Sequence, residues 1–346
     1  MHTCSISTDH CRTGFFGGKR LCRPARRSHR HNSCMHRRLD TPMTQPLVTA
    51  IVSTYNAERF IRGCLEDLVA QTMLSEMEVL VIDSGSLQGE SAICEAFARL
   101  HPQVRLIRTQ REPLYFAWNR AIGLARGKYL TNANTDDRHR CDFMEIMAAC
   151  LEKHADVALV YADQFISHTE NETFEQCERR DARIRRWPDF TPQDLMLRCI
   201  TGSQPMWRKD LHDGLGVFDT GYRIAADYDM WLRFAGKQTL KRVPSTLGVF
   251  FDSPETISGS RNRLQMDREG LTIKKSHMTR VEWHSLPGIQ KSLAAALFST
   301  GYWYVEHKRD AYAAEPFIRE SIRLDPWTFR YIKTYLIRCL PYIRQP

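Results

Sequence analysis

Two adjacent carboxylates, Asp136 and Asp137, close the run Gly127-Lys128-Tyr129-Leu130-Thr131-Asn132-Ala133-Asn134-Thr135-Asp136-Asp137. The run reads as a strand that empties into acids. Neighbouring carboxylates at a strand's carboxyl end repel one another unless a cation sits among them. A hard divalent ion such as Mg2+ or Mn2+ suits carboxylate oxygens and leaves positions open for substrate phosphates. The competing reading is an Asp-Asp turn that caps the next helix. Asp227 and Asp229 open a later helical run whose other face, Tyr228, Trp231, Leu232 and Phe234, is apolar. An acid there can cap the helix or exchange a proton with a substrate, and the two roles are compatible.

The elements that must position these acids alternate. Val48 to Ser53 is an apolar run ending in Ser53-Thr54-Tyr55-Asn56. Phe60, Ile61, Cys64, Leu65, Leu68 and Val69 then recur at helical spacing. Glu78 to Asp83 reads as a buried strand broken by Ser84-Gly85-Ser86. A helix over 90–100, a strand over Val104 to Ile107, a helix over Ala117 to Ala125 and a strand over Lys128 to Ala133 follow. Buried strands alternating with amphipathic helices predict a mostly parallel α/β sheet covered on both faces. Ligands of such sheets gather at the carboxyl ends of the strands. Three of those ends carry polar clusters: Thr54-Tyr55-Asn56, Asp83-Ser84-Gly85-Ser86 and Thr135-Asp136-Asp137. After a fifth strand, Val157 to Tyr161, a long polar stretch from about Asp163 to Pro192 reads as either a flap over the substrate or a solvated loop.

These motifs, in this order, resemble the inverting family 2 glycosyltransferases of the GT-A fold. Ser53 to Glu58 is similar to the family's opening segment, and Leu65 to Thr72 to its helix ending in Gln-Thr. Glu78 to Ser86 is similar to its buried strand with Asp-Asp-Gly-Ser. Ala117 to Gly123 with Ala125 to Tyr129 resembles the elements before the metal motif, and Gly221 to Arg233 resembles the region of the catalytic base. The resemblance covers roughly residues 46–250. It implies that Thr54, Tyr55, Asn56 and Asn119 line a sugar-nucleotide donor and that Asp83 accepts a hydrogen bond from a uracil or thymine imide. It further implies that Asp136 faces the ribose or donor sugar, Asp137 holds Mn2+ or Mg2+, and Asp227 is the general base. The chain departs from the pattern in places. Ser84 replaces the second acid of Asp-Asp-Gly-Ser, the metal motif reads Thr-Asp-Asp, and Ala226 precedes Asp227 where an acid is frequent. Asp229 therefore stays a rival base.

In Thr201 to Arg208, Gln204 and Trp207 could read an acceptor sugar, an aromatic face packing on the ring and an amide on its hydroxyls. The other reading is an ordinary strand with a core Trp. His139 and His212 read as structural histidines. From Pro287 two helical stripes and an Asp325-Pro326 turn resemble a tetratricopeptide-like hairpin. One such repeat cannot bury a core alone, so it must dock on the larger domain or on a partner. Its last segment interleaves Trp327, Phe329, Tyr331, Tyr335, Leu336, Tyr342 and Ile343 with Arg330, Lys333, Arg338 and Arg344. That mixture suits a helix at a membrane surface or one closing the small domain.

The net charge is +9, but residues 1–42 hold nine Lys or Arg against Asp9 and Asp40, or +7, which leaves +2 for the rest. A polyanion-binding role for the folded part, and hence a nucleic-acid partner, has little support. Cys4, Cys11, Cys22 and Cys34 lack the close pairing of a zinc site. Residues 1–44 read as an extension outside the fold or a start placed too early, 45–280 as the GT-A domain and 281–346 as a helical extension. The functional expectation is transfer of a sugar from a nucleotide-diphospho-sugar, uridine-linked, to a glycan, lipid-linked or protein acceptor on the cytoplasmic side, the protein being peripheral to the membrane in one version. A nucleotidyltransferase and a non-catalytic sugar-nucleotide-binding protein are the rivals. The first lacks its glycine-rich phosphate loop here, and the second has no reason to retain all four acids.

Overall fold

A computed structural model describes residues 45–343; the expectations for residues 1–44 lie outside the described residues. Nine strands form one sheet: β1 (Val48–Thr54), β2 (Met77–Asp83), β3 (Val104–Arg108), β4 (Tyr129–Asn132), β5 (Arg138–His139), β6 (Val157–Ser167), β7 (Ile184–Arg185), β8 (Met206–Arg208) and β9 (Thr239–Phe251). Their spatial order is β3-β2-β1-β4-β8-β6-β9-β5, with β7 also on β6. β8 is antiparallel to both β4 and β6, which returns β6 and its parallel partner β9 to the direction of β1, β2, β3 and β4. Only β5, β7 and β8 run the other way. The sheet is mostly parallel, as the alternating pattern predicts.

Both faces of β1 and β2 are covered, so these strands are buried almost throughout instead of alternating. Val48, Ala50 and Val52 face the apolar stripe of α1 (Glu58–Val69), together with α2 (Glu90–Leu100) and α4 (Phe143–Lys153). Ile51, Leu80 and Ile82 face the other way, onto α3 (Leu114–Leu124) and the helix Ala226–Ala235. That second cluster runs on without a break through Trp231, Trp283, Leu297 and Phe317. The C-terminal helices Ile289–Trp303 and Ala311–Leu324 therefore share a core with the helix bearing Asp227. α3 gives way to β4 through Gly127, where an added Cβ would lie 2.5 Å from the Thr49 amide nitrogen; only glycine lets the turn approach β1 so closely.

The stretch from Asp163 to Pro192 is not a bare loop. β6 continues to Ser167, a helix spans Phe174–Arg179 behind a Thr173 capping box, and β7 pairs with β6. Two features account for this. Phe165, Phe174, Cys177 and Val249 make a small apolar core of their own. Asp163 meanwhile binds Arg242 through both oxygens and accepts from the Trp187 amide. Polar composition had hidden an ordered arm. Among the described residues no helix is long and apolar enough to cross a membrane.

Candidate active site

The carboxyl ends of β1, β2 and β4 lie side by side. Thr54 pairs in register with Asp83, the Ser84 amide donates to the Thr54 carbonyl at 3.0 Å, and the Ala133 amide to that of Ile51 at 2.8 Å. Past β1 the chain turns at Asn56, whose φ of +51° lies in the left-handed region that Asn tolerates. The Asn56 side-chain oxygen accepts from the Leu87 amide at 2.9 Å, so the 54–56 and 84–87 turns are zipped together. Tyr55 is exposed, and the Arg111 guanidinium sits 3.6 Å from its ring centroid. The Thr54 hydroxyl is buried and has no partner among the described residues. Asp83 is buried too. Its two oxygens accept from the Ser86 amide (3.0 Å) and from the Ser91 hydroxyl. Burial pushes its carboxyl up, but those hydroxyl and amide donors outweigh it and hold it below its ordinary value. Its visible work is to shape the turn after β2.

Beyond β4 the two acids separate in role. Asp137 is buried, with Oδ1 accepting from the Phe251 amide at 3.1 Å and Oδ2 from the Asn134 side chain at 3.1 Å. Asp136 is only partly buried and has no hydrogen-bond partner among the described residues. Burial raises both carboxyls, and the Asp136 charge raises Asp137 further. Asp136 is thus the more open of the two carboxylates, while Asp137 is engaged by the Phe251 amide and the Asn134 side chain. Asn132 and Asn134 both donate to the Ser203 carbonyl, at 2.6 and 3.3 Å, bringing the 201–205 segment against this corner.

The flanks of the corner are clamped from α1. Asp67 takes both forks of Arg138, at 2.7 and 2.6 Å, and the His139 amide at 2.8 Å. Gln71 donates to the Arg140 carbonyl and accepts from the Met144 amide. The Gln-Thr ending of that helix is therefore a brace for the acidic turn. His139 is buried with both ring nitrogens unpartnered, and burial lowers it to about 4. It was expected to be a satisfied structural histidine, and its ring instead packs edge-on against Phe143.

The helix Ala226–Ala235 separates the rival bases. Asp229 accepts from Arg233 Nε at 3.0 Å and faces Nε2 of buried His277 at 2.8 Å. Burial works against its charge, yet those partners prevail and hold the carboxyl below its ordinary value. Asp227 has no ion pair among the described residues. Its Oδ1 faces the Tyr115 hydroxyl at 3.1 Å, and burial pushes it up to about 6. The turn before it is fixed by Glu269 on the helix Arg263–His277, whose carboxylate accepts from the Arg223, Ile224 and Ala225 amides at 3.0, 2.8 and 2.9 Å.

Three residues expected to touch ligands are engaged within the protein. Asn119 spends its whole amide on the Phe218 backbone, donating at 2.8 Å and accepting at 3.0 Å, so it locks the 217–218 turn onto α3. Trp207 is fully buried, its indole N–H donating to His212 Nε2 at 2.9 Å amid Phe218 and Trp231; it is a core Trp. Gln204 is buried, donating to the Arg138 carbonyl at 3.2 Å with its own oxygen unpartnered. Tyr115 and Glu269 are the site residues missed from the sequence. Tyr115 stands in the first turn of α3 at the ligand edge of the sheet, which was a usable signal. Glu269 gave none.

Residues 49–213 match the profile described as Glycosyl transferase family 2. Residues 49–213 therefore form a family 2 glycosyltransferase domain. Among the relatives of this chain is chondroitin synthase of Escherichia coli, 26% identical over 198 residues, which are 57% of this chain. The matched part is 28% of that synthase's own length. The fold is that of S. aureus TarS 1–349, solved in complex with UDP-GlcNAc (TM-score 0.63, 17% identity, 81% of this chain and 83% of that one). It is also that of the mannosyltransferase PcManGT from Pyrobaculum calidifontis, solved in complex with GDP-Man and Mn2+ (TM-score 0.55, 17% identity, 87% and 89%). These neighbours are GT-A glycosyltransferases.

The acidic corner fits a divalent cation in one respect. It offers one partly exposed carboxylate, Asp136, beside a second, buried one. Among the described residues no three His, Cys, Asp or Glu side chains cluster into a closed cage. One or two carboxylates with room for substrate phosphates is the pattern of Mg2+ and Mn2+ sites.

Proposed function

We propose that the chain transfers a sugar from a nucleotide-diphospho-sugar, uridine-linked, to a hydroxyl of a glycan, lipid-linked or protein acceptor, inverting the anomeric carbon. The observation that carries this reading is the contrast between the two acids of one helix. Asp229 is consumed by Arg233 and His277, while Asp227 has no ion pair among the described residues and its carboxyl is raised to about 6. A carboxylate poised there is ionised at neutral pH and still basic enough to accept a proton, and such help is worth about 10²–10⁴-fold.

In the proposed reaction the acceptor oxygen bonds to the anomeric carbon from the face opposite the leaving group. The bond from that carbon to the phosphate oxygen breaks, the nucleoside diphosphate departs, and the acceptor's proton passes to Asp227. Asp136 would hold Mn2+ or Mg2+, which supplies Lewis-acid neutralisation of the pyrophosphate when bound. Asp137 would fix the Asp136 turn through Phe251 and Asn134. Thr54, Tyr55 and Asn56 would border the nucleoside, the Thr54 hydroxyl being buried and unpartnered. Solved neighbours with UDP-GlcNAc and with GDP-Man and Mn2+ support a nucleotide-sugar donor and a divalent cation. We place the reaction in polysaccharide or glycan synthesis at the cytoplasmic side. The test is a panel of uridine, guanosine and thymidine diphospho-sugars, each with and without Mn2+, scored for donor cleavage. Cleavage of a uridine-linked donor that requires Mn2+ and is lost in Asp227→Asn supports the reading. No cleavage of any donor, with no donor binding, overturns it.

A further inference from the structure

The C-terminal end of the chain exposes apolar side chains that the transfer reaction does not use. From Pro326 to Tyr342 the sequence holds Arg330, Lys333 and Arg338 and no Asp or Glu, and Arg344 follows. The backbone from Phe329 to Ile343 is continuously helical, with a π-type stretch over Tyr335–Cys339. Tyr331 and Cys339 point inward and join the large core, so the segment is fixed to the catalytic body. Trp327 is 91% exposed, Phe329 72%, Leu336 52% and Ile337 54%. At 100° per residue Phe329, Lys333, Leu336 and Ile337 fall within an arc of about 100°. Arg330 flanks that arc, stacked over Phe298 and Tyr302, and Arg338 lies 3.6 Å from Glu306.

We propose that this face, Trp327 with Phe329, Leu336, Ile337, Arg330 and Lys333, docks on a lipid bilayer carrying anionic headgroups. The charge pattern selects that occupant. A second copy of the chain would set the cations of one face against those of the other, and the segment supplies no acid to pair them. An anionic bilayer takes both chemistries at once: rings and aliphatic groups enter the headgroup boundary while Arg and Lys meet lipid phosphates. Trp and Tyr favour that depth because their rings are amphipathic. The docked helix would hold the cleft at a fixed height above the membrane, within reach of a lipid-linked acceptor.

Sedimentation of the full chain with vesicles tests this independently of sugar transfer. One set contains phosphatidylcholine alone and the other an equal mixture with phosphatidylglycerol. Binding is expected to the mixed vesicles and to weaken with added salt. Lys333→Glu, a change of two charge units, should lower partitioning about thirtyfold, taking about a fivefold loss per charge. Trp327→Ser should weaken it as well. Both variants should keep the wild-type melting temperature and donor cleavage. The proposal is overturned by any of three results: equal binding to both vesicle types, no binding to either, or a concentration-dependent dimer that Trp327→Ser abolishes.

Discussion

The hydroxyl of Tyr115 lies 3.1 Å from Oδ1 of Asp227 and 2.6 Å from the Ile224 carbonyl, so α3 and the helix Ala226–Ala235 meet at the proposed base. A hydroxyl donated to a carboxylate favours its charged form and opposes the desolvation that raises Asp227. Tyr115→Phe removes that donor. A neutral hydrogen bond is worth about 1 kcal/mol, so the acid limb of the rate profile should move up by about 0.7 pH units. Measuring kcat/KM against pH for both proteins checks this; an unmoved limb would mean that the contact does not tune Asp227.

Asp227 also links pH to stability with a definite sign. Folding raises its carboxyl from the ordinary 3.8 to about 6, so the folded state disfavours its charge. The cost is absent below pH about 4 and complete above pH about 6. Asp227→Asn should therefore melt higher than wild type at pH 8 and at the same temperature near pH 4, while losing transfer. Wild-type activity should fall tenfold per pH unit below about 6. Calorimetric scans at the two pH values decide the first part, and rates from pH 5 to 8 the second.

Asp229 carries the opposite sign. Its carboxyl is held below the ordinary value, so it stabilises the fold above pH 3.8 and that contribution fades as pH falls through the lowered value. Asp229→Asn strands His277 and Arg233 and should cost about 3 kcal/mol at pH 7. The surviving folded enzyme should retain kcat. Urea unfolding with parallel rates is the measurement; a loss of kcat without a loss of stability would make Asp229 the base.

Asp136 and Asp137 should differ on mutation. Asp136→Ala breaks no side-chain hydrogen bond among the described residues and removes a carboxylate whose charge the fold disfavours, so it should abolish Mn2+-dependent donor binding without lowering the melting temperature at neutral pH. Asp137→Ala frees the Phe251 amide and the Asn134 side chain, and should lower stability by about 1–3 kcal/mol as well. Titration calorimetry of the donor with and without Mn2+, beside thermal scans, separates the two.

Asn119 and Trp207 should behave as structural residues. Asn119→Ala leaves the Phe218 N–H and C=O unpaired and should cost about 1–3 kcal/mol. Trp207→Ala empties the core beside Trp231 and should cost about 3–5 kcal/mol. Neither should change the KM for donor or acceptor in the protein that remains folded. A selective rise in acceptor KM for a Trp207→Phe variant would restore its ligand role.

The sequence by itself determined the alternation of strands and helices, the polar strand ends and the order of the motifs. Each of these is a local property: periodicity of burial, glycine at Gly127, acids at the end of β4. It left the partners of every polar side chain open, because hydrogen bonding joins residues far apart in the chain. Asp227 and Asp229 are two residues apart and chemically alike. They differ only because Arg233 and His277 reach one of them, while Tyr115 and the turn held by Glu269 surround the other. Asp136 and Asp137 are separated in the same way, by a Phe251 amide brought from the last strand. Trp207 and Asn119, written in motifs that resemble ligand contacts, were claimed by the core and by a backbone turn. Charge and spacing are set along the chain. Desolvation and pairing, which decide what a carboxylate can do, are set by what folds against it.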